Sequence, residues 1–345
     1  MLAEVVDAVV GGDTHRDTHA LEMVAPSGVT LATTEISNTE SGFAEALAWI
    51  TDHNPDAQVA VAVEGTRSYG LGLTRALHAA GMTVVEIEQP RQGERRRGKT
   101  DSLDAHLAAV HALRLDADQL PTPRADGDRE ALRILLGARH ELATTRTSQI
   151  NRLRALLLAG DDSDRALARS TLTVATLNTI ADRGSQPDET REQTIRRCEI
   201  RRLARAIRDT GRELADNKKQ LSTVVSELAP ALLDATGVGP VSAAQAIVSW
   251  SHHGRCRNDA AFAALAGASP LPASSGRITR HRLNRGGDRA LNRALHNIVL
   301  TRWRCCPRTK AYIAKRRAHG SSDPEIRRIL KRYIARELYR TLNAA

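Results

Sequence analysis

Within the helical stretch Thr190 to Leu228, the seam positions from Ile200 onward step by three and four residues without a break. Ile200, Leu203, Ile207, Leu214, Leu221, Val224 and Leu228 share one stripe, with polar Thr210 and Asn217 in the same register. Such spacing returns to one side of an α-helix, and a stripe about four heptads long is buried only against another long helix. The middle of the chain is therefore committed to a long helix with a partner. The stretch from Arg129 to Leu158 supplies one, with Leu132, Leu135, Leu142, Ile150, Leu153 and Leu157 on roughly one face. With the polar residues 160–189 between them, the two are predicted to form an antiparallel coiled-coil hairpin, packed on itself or on another subunit. Thr210 and Asn217 would set its register.

The first 115 residues follow a different pattern. Val5 to Gly12, Thr18 to Val24 and Thr30 to Ile36 read as three hairpin-linked strands, with a Pro26-Ser27-Gly28 turn before the third. Helical Ser41 to His53 follows, then the Val-rich strand Gln58 to Val63, then a helix from Tyr69 to Ala80 that stops at Gly81. Met82 to Ile87 is a strand and Asp101 to Leu113 a helix. The order βββαβαβα fits a mixed sheet flanked by helices, as in the α/β ribonuclease H-like fold. Pro121 and Pro123 mark a linker, beyond which no strand is expected. Pro230 ends the long helix, and the remainder is predicted to be helical with Gly/Pro/Ser-rich joints. Three domains are predicted: 1–122, α/β; 123–229, the helical coiled-coil segment; and 230–345, all-α.

Charge is divided along the chain. The net charge is +10, yet residues 1–125 carry 10 Lys/Arg against 18 Asp/Glu, while residues 270–345 carry 19 against 4. An acidic front and a basic back point to a carboxylate site in one half and a polyanion-binding surface in the other. No apolar run reaches the roughly 18 residues of a membrane span, and the N-terminus lacks the pattern of a signal peptide. Cys198, Cys256, Cys305 and Cys306 show no metal-ligand spacing. A cytoplasmic protein without a disulfide framework or zinc site is expected.

Four acids stand out by position. Asp13 follows the first strand, Glu64 ends the central one, and Asp101 and Asp104 open a helix three residues apart, on one face. Singly, each has an ordinary reading: Asp101 and Asp104 as N-cap and first-turn acid, Asp13 as a turn cap with Asp17 as rival, Glu64 as a strand-end acid. Jointly they belong to one edge of one sheet. Carboxylates about 4 Å apart repel by about 1 kcal/mol in water and about 4 kcal/mol at an effective dielectric of 20. A cluster of them needs a countercharge, and hard oxygen ligands suit Mg²⁺ or Mn²⁺. Two such ions would stabilise the attacking and leaving oxygens of phosphodiester transfer.

In the basic half, Gly237-Val238-Gly239-Pro240 lies between two helical runs. It reads either as a tight turn or as a helix-hairpin-helix, whose Gly237 and Gly239 amides would hold a DNA phosphate. Ser274 and Ser275 precede Gly276 in a loop followed by Arg277, Arg280, Arg282, Arg285, Arg289 and Arg293. These arginines are candidate phosphate ligands. On spacing alone an ordinary polar loop is the better reading of the serines, since only His281 offers a local base. From Lys310 to Arg340 a basic helical stretch carries Arg316, Arg317, Arg327, Arg328, Lys331 and Arg332, suited to backbone contacts.

Taken in order, VVGGDTHRDTHAL, VAVEGTRSYGLGL and KTDSLDAHLAA, then LLDATGVGPVSAAQAI and FAALAGASPLPASSGRITRHRLNRGGDRALNRAL, resemble the insertion sequence 110 family of DEDD transposases over nearly the whole chain. VVGGD replaces the usual hydrophobic-Gly-Ile-Asp opening, IEQP stands where many members have Asn-Pro, and the segment after Ser275 is short. The resemblance implies a RuvC-like N-terminal domain with Asp13, Glu64, Asp101 and Asp104 as catalytic metal ligands. It makes Ser275 the nucleophile, with Ser274 the adjacent alternative. It also implies recombination of donor and target DNA, guidance by a structured RNA of the element, and a homo-oligomer, dimer or tetramer, whose composite site joins the metal domain of one subunit to the serine domain of another. Two other functions share some of these residues: a Holliday-junction-resolvase-like nuclease using water, and a non-catalytic nucleic-acid-binding protein.

Overall fold

A computed structural model of the chain describes residues 1–53, 58–87, 101–124, 126–184, 189–272, 281–282, 284 and 286–344. The chain divides into two compact units, Met1–Glu130 with Trp250–Phe262, and Ala131–Ser249 with Ala263–Ala345.

The first unit is built on strands β1 (Ala8–Thr14), β2 (Thr18–Val24), β3 (Thr30–Ser37), β4 (Val59–Glu64) and β5 (Thr83–Ile87) and helices α1 (Glu40–His53), α2 (Leu71–Ala79) and α3 (Asp101–Leu113). The sheet order is β3-β2-β1-β4-β5. β1, β2 and β3 pair antiparallel, and β4 and β5 run parallel to β1. Side chains alternate across a strand, so the sheet has two apolar faces. Ala8, Val10, Val61 and Val63 pack with Ile50 of α1 and with Leu73 and Leu77 of α2. Val9, Ala60, Ala62, Val85 and Ile87 pack with Ala108, Ala109 and Ala112 of α3. Both β1 and β4 run one or two residues beyond the predicted strands, which brings Asp13 and Glu64 inside the ladder. The expected helix stop at Gly81 carries a φ of +76°, a left-handed conformation that glycine takes without a steric cost.

The second unit is largely helical. The remaining α-helices and strands, of which α4, α9 and α10 span the division between the units, are in chain order α4 (Gly127–Leu158), α5 (Asp162–Arg169), α6 (Val174–Ala181), α7 (Arg191–Leu228), α8 (Ala231–Asp234), α9 (Pro240–Trp250), α10 (Asp259–Leu265), β6 (Leu271–Pro272), β7 (His281–Arg282), α11 (Arg289–Cys305), α12 (Pro307–Ala318) and α13 (Asp323–Ala344). α4 and α7 run antiparallel. Asn217 Nδ2 donates to Leu135 O and Arg139 Nη1 to Leu214 O, each at 2.9 Å. Toward the other end Leu153 and Leu157 share a core with Ile200, Leu203 and Ile207.

Three local expectations are corrected. Residues 160–189 hold α5 and α6, which Asp161 and Thr173 cap by accepting the Asp164 and Thr176 amides. In α7 the buried stripe passes from Leu221 to Val225, leaving Val224 half-buried and Leu228 exposed, as a helix of 3.6 residues per turn drifts from a strict seven-residue repeat. Strands also recur beyond residue 121, since β6 and β7 pair as a short ribbon, Leu271 with Arg282 and Pro272 with His281. No helix among the described residues is long and apolar enough to cross a membrane.

Candidate functional site

The register of the first unit gathers acids on one face. Gly11 pairs with Ala62 and Gly12 with Val63, so Asp13 and Glu64 end neighbouring parallel strands on the α3 side. Glu64 is fixed from behind: Thr14 Oγ1 donates to its carbonyl at 2.8 Å, and Gly65 turns the chain with a φ of +68°. α3 lies very close to this edge. A Cβ on Gly11 would fall 1.9 Å from Ala105 O and 2.8 Å from Ala109 N. Only a residue without a side chain lets the helix backbone rest on β1 in this way, and Asp104 immediately precedes the Ala105 carbonyl that meets it. Asp13 and Asp104 are 7 % and 5 % exposed, which is rare for carboxylates. Asp13 Oδ2 lies 3.9 Å from His15 Nδ1. Asp101 begins α3, and its side chain lies outside the described residues. Among the described residues no three His, Cys, Asp or Glu side chains are gathered into a metal cage. In donor type, the carboxylates of Asp13, Glu64 and Asp104 suit Mg²⁺ or Mn²⁺.

One pair here escaped the sequence reading. Glu22 stands opposite Gly11 on β2, facing α3. Its Oε1 accepts from Thr30 Oγ1 at 2.5 Å and contacts His106 Nδ1 at 2.8 Å. The available signal was a charge in the middle of the strand HALEMV together with a histidine two residues after Asp104. Neither names its partner.

In the second unit, Ser274, Ser275, Arg277, Arg280 and Arg285 lie outside the described residues. The ribbon that brackets the serines is described, and Arg282 belongs to it. Its base is pinned by two glycines: a Cβ on Gly287 would fall 2.3 Å from Gly267 N, and Asp288 N donates to Leu265 O. Asp288 then caps α11, accepting the Ala290 and Leu291 amides through Oδ1 and the Ser249 hydroxyl through Oδ2. Exposed Arg289 and Arg293 line a cavity of about 920 Å³ with His296 and Lys331. A second cavity, of about 870 Å³, is lined by Arg316, Arg328, Arg332 and Arg336 and shares Lys331 and Asn292 with the first. Lys331 Nζ donates to Asn292 Oδ1 at 2.7 Å, and burial lowers its pKa. Gly237, with a φ of +82°, turns between α8 and α9 against Ile298 and Arg302 of α11, while Gly239 precedes α9.

Residues 10–159 match a family model for the DEDD transposases of IS110 type, and residues 229–314 match the model described as "Transposase IS116/IS110/IS902 family". The chain belongs to the IS110 family of transposases. No curated protein matches it. For an IS110-family transposase the two matches fall usefully. The first spans Asp13, Glu64, Asp101 and Asp104, and the second spans Gly237, Gly239 and the residues of the short β6–β7 ribbon. DNA is therefore the substrate class, and a DEDD domain implies dependence on a divalent metal.

Proposed function

We propose that this transposase cuts and rejoins DNA strands with a divalent metal and a serine nucleophile, from a first unit of ribonuclease H-like, RuvC-like fold. The observation that carries the reading is the approach of α3 to β1 at Gly11, with Asp13 and Glu64 at the ends of neighbouring strands on the α3 face and buried Asp104 next to the contacting residue Ala105. The sheet order, with three antiparallel strands followed by two parallel to the first, supports the fold assignment. Asp13, Glu64, Asp101 and Asp104 would hold Mg²⁺ or Mn²⁺, which when bound supplies Lewis-acid stabilisation of the phosphorane charge.

The remaining steps belong to the chain and the DNA. Arg289 and Arg293 with the loop arginines orient the phosphate. Ser275 Oγ attacks phosphorus and gives up its proton to solvent, from which the departing oxygen takes one up. The bond to the bridging 3′-oxygen breaks, and that oxygen leaves as a hydroxyl on taking up a proton. A phosphoserine link results. A 3′-hydroxyl of another strand then attacks the same phosphorus and restores Ser275. One phosphoester bond replaces another at each step, so no nucleotide hydrolysis is required. The family resemblance supports a structured guide RNA and a composite site built by more than one copy of the chain.

The reading is tested with an end-labelled DNA of the element junction and Mg²⁺. Wild-type protein should give a denaturant-stable protein–DNA adduct, and Ser275→Ala should lose it while still binding DNA. Asp104→Asn should lose both cleavage and adduct. Cleavage without any adduct would favour a nuclease using water, and an equal adduct yield in Ser275→Ala would remove the serine from the mechanism.

A further inference from the structure

One of the two basic cavities holds an aromatic ring that the chemistry above does not use. Beside Arg316, Arg328, Arg332 and Arg336, it is lined by Tyr333 of α13. The chain is only 3 % aromatic, yet Tyr333 is 52 % exposed, forgoing the burial that makes aromatic rings dominant in a core. Tyr312 of α12 braces it, with ring centroids 5.9 Å apart and planes at 85°. Such an edge-to-face pair favours one orientation of the ring.

Two rows of side chains share the α13 wall of this cavity. Arg328, Arg332 and Arg336 recur every four residues, and Ile329 and Tyr333 do so beside them. Residues four apart on a helix lie on one face, about 6 Å apart along its axis. The wall therefore presents a charged track next to an apolar one. Arg316 joins the lining from α12, and its Nε is buried without a hydrogen-bond partner among the described residues. Glu325, the carboxylate of the lining, is held by Ser322, whose amide and hydroxyl donate to its Oε2 at 2.8 and 2.7 Å.

A duplex hides its base faces in the stack and offers such a wall phosphates alone. An unpaired strand offers both: phosphates for the arginine track and a base face for the ring, the pairing of contacts on which sequence-tolerant single-strand binding rests. The volume of about 870 Å³ falls within the roughly 300–1,000 Å³ of sites that enclose a small molecule. Gly267 and Asn284, which flank the β6–β7 ribbon in sequence, also line the cavity. A strand that is cut and joined to a new neighbour must leave its old complement, so the reaction itself creates unpaired DNA.

We propose that this cavity binds an unpaired nucleotide of the DNA strand, its base stacked on Tyr333 and its phosphates held by Arg328 and Arg332. The second family match ends at residue 314, so α13 brings these side chains from beyond it. The inference deepens the function proposed above and rests on its cutting and rejoining of strands. The occupant is DNA, because that is the substrate of the family.

The test is a fluorescence-anisotropy titration of the full chain in EDTA with three labelled probes of one sequence: a short single-stranded DNA, the matching duplex and a single-stranded RNA. Cleavage is silent under these conditions, so the outcome is independent of the serine and the metal. Tyr333→Ala should weaken single-stranded DNA binding by about 5- to 100-fold, the worth of one stacked base, and leave duplex binding as in wild type. Tyr333→Phe keeps the ring and should bind like wild type. Because stacking releases no counterions, Tyr333→Ala should leave the log K against log salt slope for the single strand unchanged, whereas Arg332→Gln should make it shallower by about 0.7. Duplex binding also serves as the control for folding. An unchanged single-strand affinity in Tyr333→Ala, an equal loss on the duplex, a Tyr333→Phe variant as weak as Tyr333→Ala, or a loss confined to the RNA probe overturns the proposal. Should the adduct test fail while these single-strand effects appear, the site stands and only the serine chemistry falls.

Discussion

Gly11 and the pair of buried Glu86 with Arg124, whose Nε donates to Oε1 at 2.8 Å, show how single residues hold the first unit's sheet. A methyl group at position 11 meets backbone atoms of α3, which cannot rotate aside. Gly11→Ala should therefore cost about 1–3 kcal/mol of stability through overpacking and move Asp104 away from Asp13. A thermal melt and a cleavage assay check this together; a variant with wild-type melting and activity would show that the close approach is dispensable. Glu86 acts by charge. Burial pushes its carboxyl pKa up, but the hydrogen bond and charge of Arg124 outweigh that and leave it below the ordinary 4.5. A carboxylate lowered in the folded state adds stability that is fully present above its unfolded pKa and is lost as pH falls through the folded value. Melting temperatures measured from pH 7 down to 3 should fall more steeply below about 4.5 in wild type than in a Glu86→Gln/Arg124→Met variant. Arg124→Ala alone should cost about 3–5 kcal/mol, because it strands a buried charge. Such pairs were not legible in advance. Alternation placed Glu22 and Glu86 within strands, but nothing local tells a buried acid which arginine or histidine, dozens of residues away, will meet it.

At the level of elements, periodicity was a good guide wherever one face is buried and the other wet. β2, α3 and α7 fall within a residue of their predicted spans, and α4 begins two residues early. Sequence patterning failed where short helices are held by caps rather than by long stripes, as in α5 and α6, and where the α7 stripe drifts at Val224. The long helix also carries a polar device. Asn217 is buried and bonds to Leu135 O across the pair, next to Arg139 and Leu214. A polar group in such a seam costs stability and selects one alignment. Asn217→Leu should accordingly raise the melting temperature while broadening the distribution of oligomeric species in light scattering after size exclusion. A lower melting temperature with a single sharp species would mean that Asn217 stabilises the helix pair outright.

Over the whole molecule, the division of charge is the feature the sequence made plainest, and the structure gives it a finer grain. The basic C-terminal stretch becomes the walls of two cavities that share Lys331 and Asn292. Within the formally acidic front, buried Glu86 is taken up by Arg124, a pairing of residues 38 apart that no running count of charge can reveal. Binding and catalysis should therefore separate under mutation. Arg328→Gln/Arg332→Gln removes charge from a cavity wall distant in sequence from Asp13, Glu64, Asp101 and Asp104, so it should weaken DNA binding uniformly across sequences and reduce the salt slope by about 2 if each contacts a phosphate. The Mg²⁺ concentration giving half-maximal cleavage at saturating DNA should stay as in wild type, whereas Glu64→Gln should shift that midpoint and leave the salt slope alone. A shifted metal midpoint in the arginine variant would mean that the cavity and the carboxylate edge act on the same phosphate, and the two roles would have to be merged.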